Sequence, residues 1–102
     1  MRRASKVDRN QPDIVNTLRK AGATVQLLHG VGAGCPDLLV GWRGKNLLME
    51  VKDGSLVPSA RQLNSEQVKW HDAWRGQCCV VNSEAEALSA LGVTVEIRGE
   101  RE

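Results

Sequence analysis

The 102-residue chain has no large excess of either charge, no long apolar run and no patterned cysteines, and each absence removes a class of function. Its 14 Lys and Arg stand against 12 Asp and Glu, a formal net charge of +2. It is therefore not a polycation that holds nucleic acid by charge alone, and any such affinity must come from local placement. No apolar stretch approaches the roughly 20 residues that cross a bilayer, and Met1-Arg2-Arg3-Ala4-Ser5 is not followed by the apolar segment of a secretion signal. These features predict a soluble, cytoplasmic protein. Cys35, Cys78 and Cys79 lack a CxxC or Cys/His spacing, so neither a zinc site nor a disulfide framework is indicated. Partly or fully buried thiols are expected. The length suits one small domain with a single core.

What is present centres on Gly32 to Gly54, GAGCPDLLVGWRGKNLLMEVKDG. It reads as a β-hairpin with an acid on one strand and Glu50-Val51-Lys52 on the other. Side chains alternate faces along a strand, so Leu47, Met49 and Val51 point toward a core while Leu48, Glu50 and Lys52 point the other way. With Gly44-Lys45 as the central residues of a type II′ turn, Leu39 faces Glu50 and Asp37 faces Lys52. That register gathers Asp37, Glu50 and Lys52 on one face, and a one-residue slip would scatter them. The plain alternative is a cross-strand salt bridge on a solvated face. However, the apolar runs DLLV and NLLM imply a sheet covered on both sides, where charges are costly unless they pair or bind a metal.

Two nearby carboxylates repel, and each raises the other's pKa unless a cation joins them. Mg²⁺ fits such a pair, being a hard cation held by one or two carboxylates that keeps waters in its other positions. An ammonium at Lys52 would then orient or deprotonate an attacking water, or stabilise a charged transition state.

Pro36-Asp37, a twelve-residue spacer (38–49), then Glu50-Val51-Lys52 resembles the PD-(D/E)xK nuclease motif. The wider order, from a helix through GAGCPDLLVG and MEVKDG to Gln67, resembles the small stand-alone VRR-Nuc type nucleases of phages and bacteria, related to Holliday junction resolvases; the similarity runs from about Asp8 to Leu91. It implies an α/β, restriction-endonuclease-like fold, a mixed four-stranded sheet flanked by helices with an αβββαβ core. It also implies hydrolysis of phosphodiester bonds in DNA in a bacterial cell or phage-infected host, Mg²⁺ or Mn²⁺ as cofactor, and a homodimer or higher homo-oligomer. By the resemblance the Val51 carbonyl joins Asp37 and Glu50 at the metal, and Gln67, in Leu63-Asn64-Ser65-Glu66-Gln67, faces the site. An acid near the start of the first helix completes it, a place held here by Asp13, with Asp8 or Gln11 as alternatives. A non-catalytic DNA-binding or assembly module of the same fold is the competing expectation, and it predicts the loss of at least one of these residues.

Along the chain, residues 1–10 read as a basic flexible arm, 11–97 as a single nuclease-like domain and 98–102 as a tail. Pro12 opens a helix with an apolar stripe at Ile14, Val15 and Leu18, ended by Ala21-Gly22. Asp13 in its first turn also complements the helix dipole. A strand over 23–28 leads to a glycine-rich loop, His29 to Pro36, able to bring backbone close to a phosphate. Asn64 or Ser65 caps a second helix over 66–75, with Val68, Trp70 and Trp74 available for its inner face. A strand over 77–81, a helix over 84–91 between Ser83 and Gly92, and an edge strand over 93–97 follow. Arg9, Arg61 and Lys69 are the cations expected to meet phosphates.

Overall fold

The chain is described by a computed structural model over residues 7–92; residues 1–6 of the expected arm, the strand over 93–97 and the tail lie outside the described residues. Helix α1 spans Gln11–Lys20, with Pro12 in its first turn and Gly22 at φ 102° just beyond its cap. Strands β1 (Thr24–Leu27), β2 (Leu38–Trp42) and β3 (Lys45–Val51) follow, then a 3₁₀ turn (Pro58–Arg61), helix α2 (Ser65–Ala73), strand β4 (Cys78–Val81) and helix α3 (Glu84–Leu91). The four strands form one mixed sheet in the order β1-β2-β3-β4, the first two pairings antiparallel and β3-β4 parallel. The parallel pair is what a crossover through α2 requires.

The hairpin register differs from the expected one. Trp42 pairs with Lys45, so Arg43 and Gly44 are the central turn residues, with φ of 48° and 81°. Positive φ at both positions is the type I′ arrangement, whose twist matches the flanking strands. Leu39 consequently faces Leu48 and not Glu50, an offset of two. Because side-chain direction repeats every two residues, that offset leaves each side chain on its expected face. Extended by one more pair, the register sets Asp37 against Glu50 instead of Lys52.

One face of the sheet carries Leu38, Val40, Met49, Val51 and Val81, packed against Ile14, Val15 and Leu18 of α1 and Ala87 of α3. This is the core. Burial of such side chains contributes roughly 1.5–3 kcal/mol each, more than any surface interaction here. The side chain of Asn10 donates to the carbonyls of Lys52 and Asn82 at 3.0 and 3.2 Å, tying the start of α1 to the ends of β3 and β4.

The opposite face carries Leu48, Glu50 and Cys78 and lies under α2 and the glycine-rich loop. The expectation for α2 is corrected: it buries none of its residues, and Val68 and Trp74 are 43% and 45% exposed. Trp70 and Trp74 stack on each other, with centroids 4.6 Å apart. The helix is held instead by polar contacts. Asn64 and Gln67 form a reciprocal capping box, and Gly34 of the loop abuts the Glu66 carbonyl, where a Cβ would come within 2.4 Å of that oxygen.

Candidate active site

Pro36 and Asp37 are buried at the mouth of β2, and Glu50 lies near the end of β3 with 2% of its surface exposed. Asp37 Oδ2 accepts the Val51 N–H at 2.8 Å, which pins its carboxylate to the neighbouring strand. The two carboxyl groups lie close enough to share a proton. Burial, followed by the charge of Asp37 and the hydrogen bond with it, pushes Glu50 up to about 8, against a smaller pull down by Lys52.

Lys52 shares the Glu50 face, as alternation requires, with Nζ 3.9 Å from Glu50 Oε2. Gln67 reaches over both groups. Its Oε1 accepts from Lys52 Nζ at 3.0 Å and its Nε2 donates to Glu50 Oε2 at 3.0 Å. The same Oε1 accepts the Asn64 N–H at 2.9 Å, so the capping box that starts α2 also sets this side chain. The structure thus brings Asp37, Glu50, Lys52 and Gln67 together.

One oxygen of this cluster meets no protein N–H: Glu50 Oε1 is buried, with only the proton shared with Asp37 to serve it. A buried acceptor that lacks a donor is costly, and here it stands beside a second carboxylate. A hard divalent cation would meet both needs, offsetting the repulsion and occupying the orphaned lone pairs. The donor set is all oxygen, as Mg²⁺ or Mn²⁺ prefers. Among the described residues no group of three or more His, Cys, Asp or Glu converges as a ligand set. An ion bound here would draw on this pair, which suits one that keeps several waters.

Asp13 does not join them. It is exposed on α1, because the helix turns its Ile14, Val15 and Leu18 stripe inward and leaves Asp13 on the solvent side. The further acid whose charge acts on Glu50 is Asp8. Gln11, in the first turn of α1, is 3% exposed and its Oε1 is buried without a partner, and Asp8 lies just before the helix.

The expected phosphate contacts are dispersed. Arg9 pairs with Asp53 at 3.6 Å and donates to Ser55 at 3.3 Å. Arg61 lines a cleft of about 530 Å³ that is also lined by Asp53, Glu84 and Glu86, so this cleft is not a uniformly basic track. Lys69 is exposed on α2. All three cysteines are free and partly buried, as expected. Sequence reasoning missed His71, whose Nδ1 lies 3.3 Å from Cys78 Sγ; its position four residues after Gln67, on the same helix face, was the available signal.

No helix among the described residues is long and apolar enough to cross a membrane. Comparison of the chain with protein-family models, with curated proteins and with solved structures finds no match.

Proposed function

We propose that this chain is a metal-dependent DNA nuclease of the PD-(D/E)xK type, on a restriction-endonuclease-like fold. One observation carries the reading. A buried Glu50 with an orphaned oxygen lies against Asp37, with an ammonium 3.9 Å away. A salt bridge serving structure alone would need one carboxylate, and the second is accommodated at neutral pH by a proton that a divalent cation can replace.

Asp37, Glu50 and the Val51 carbonyl hold Mg²⁺ or Mn²⁺ in this reading. When bound, the ion supplies Lewis-acid neutralisation of phosphoryl charge and makes water easier to deprotonate. Lys52 orients the attacking water and places positive charge against the oxygens that gain charge in the transition state. Gln67 fixes the Lys52 ammonium and one Glu50 oxygen at once, so that neither must reorganise during reaction. Asp8 and Gln11 replace Asp13 as the contributions from the start of α1. Arg9, Arg61 and Lys69 supply separate phosphate contacts, and the exposed apolar side chains of α2 are the surface available to a homodimer.

The test is cleavage of labelled single-stranded, duplex, flapped and branched DNA with Mg²⁺ or Mn²⁺, beside Lys52→Ala and Glu50→Ala. Both substitutions are expected to abolish cleavage while the circular dichroism spectrum is retained. Undiminished wild-type cleavage in EDTA would refute the metal role.

A further inference from the structure

His71 lies on the face of α2 that carries Gln67, one helical turn further on, and Cys78 pairs with Leu48 on the Glu50 face of the sheet. The two side chains meet across the gap between helix and sheet, with Nδ1 and Sγ 3.3 Å apart. Burial, then the charges of Cys79, Glu50 and Cys35, pushes the Cys78 thiol up to about 11, so sulfur keeps its proton at neutral pH. The thiol is then the donor and Nδ1 the acceptor. Burial and the nearby Lys52 ammonium lower the His71 pKa against an opposing pull from Asp72, which favours a neutral ring with its single proton on Nε2.

That Nε2 is buried and has no partner. A donor sealed from water without an acceptor is costly, and on the sheet side the ring feels the ammonium of Lys52, another donor. An unserved donor in the field of an ammonium suits an anionic oxygen ligand. Resting on the nuclease reading above, we propose that His71 is a neutral substrate-contacting residue whose Nε2–H donates to a non-bridging phosphate oxygen of the DNA strand, with Cys78 holding the ring in the required tautomer. The His71 end of α2, a helix that buries none of its residues, has to yield for that oxygen to arrive, while the start of the helix keeps the Gln67 contacts with Lys52 and Glu50.

Substitution by amide isosteres tests this. The Gln amide nitrogen reaches the Nε2 position and the Asn nitrogen only that of Nδ1. His71→Leu and His71→Asn are expected to lose roughly ten- to a hundredfold in kcat/KM, the range for a hydrogen bond to a charged acceptor, and His71→Gln is expected to recover most of it at an unchanged melting temperature. Imidazole ¹⁵N shifts of the wild type at pH 7 should report a proton on Nε2. A proton on Nδ1, full activity in His71→Leu, or rescue by Asn in place of Gln would overturn the assignment while leaving the nuclease reading intact. A wild-type chain inert toward all DNA forms would remove both.

Discussion

Gln67 donates to Glu50 at 3.0 Å with the same amide whose oxygen caps α2 at Asn64. Helix start and carboxylate–lysine cluster therefore depend on one side chain. Gln67→Ala should cost about 1 kcal/mol of stability from the lost cap and, separately, release the Lys52 ammonium. Thermal denaturation beside kcat distinguishes the two effects: Asn64→Ala should reproduce most of the stability loss, with a much smaller loss of cleavage.

Glu50 makes the stability of the metal-free protein depend on pH. Its carboxyl is pushed from an ordinary 4.5 up to about 8 by burial and by Asp37. Between those values the folded chain holds a proton that the unfolded chain has released, so stability is highest toward pH 4.5 and falls as pH rises toward 8. The slope from this group is at most about 1.4 kcal/mol per pH unit. Denaturant titrations in EDTA from pH 5 to 8 should show the decline, and Glu50→Gln should remove its contribution.

The start of α1 offers a direct comparison of two acids. Asp8 acts on Glu50 and Asp13 is exposed. Asp8→Asn should lower the titration midpoint of Glu50 followed by carboxyl ¹³C resonances, whereas Asp13→Asn should leave it in place. An equal shift from both would contradict the assignment of Asp8.

Much of this arrangement was legible in the sequence, for local reasons. Ser83 and Gly92 are a cap and a left-handed stop, and α3 runs between them at Glu84–Leu91 as read. The Glu50–Lys52 face followed from alternation, and it survived the register error because Arg43-Gly44 in place of Gly44-Lys45 moved the pairing by two residues rather than one. The packing of α2 was legible only at Gln67, which faces Lys52 and Glu50 as the resemblance implied. Its tryptophans suggested an inward face, yet the helix is anchored by Gln67, by His71 against Cys78 and by the close approach of Gly34. Contacts between polar groups and a distant glycine leave no apolar periodicity, and only the four-residue spacing of Gln67 and His71 marks that face. Asp13 misled because helix phase, set by Ile14, Val15 and Leu18, leaves it on the solvent side, and Asp8 lies before the helix begins.

The glycine-rich loop has a steric role that substitution can expose. Gly34 has φ of 84°, and a Cβ there would sit 2.4 Å from the Glu66 carbonyl oxygen. Gly34→Ala should lower stability by more than about 1 kcal/mol and displace the start of α2, with cleavage falling along with it. Gly30→Ala meets no atom within 4 Å and serves as the control, with a near-native melting temperature.

The central claim is that Asp37 and Glu50 form a divalent-cation site, and calorimetric titration of the apo chain with Mn²⁺ tests it most directly. The account predicts saturable binding that is lost in Asp37→Asn and in Glu50→Gln, and proton release on binding at pH 7 as Glu50 gives up its proton. Absence of binding by a folded wild-type chain, or binding unchanged by both substitutions, would contradict it.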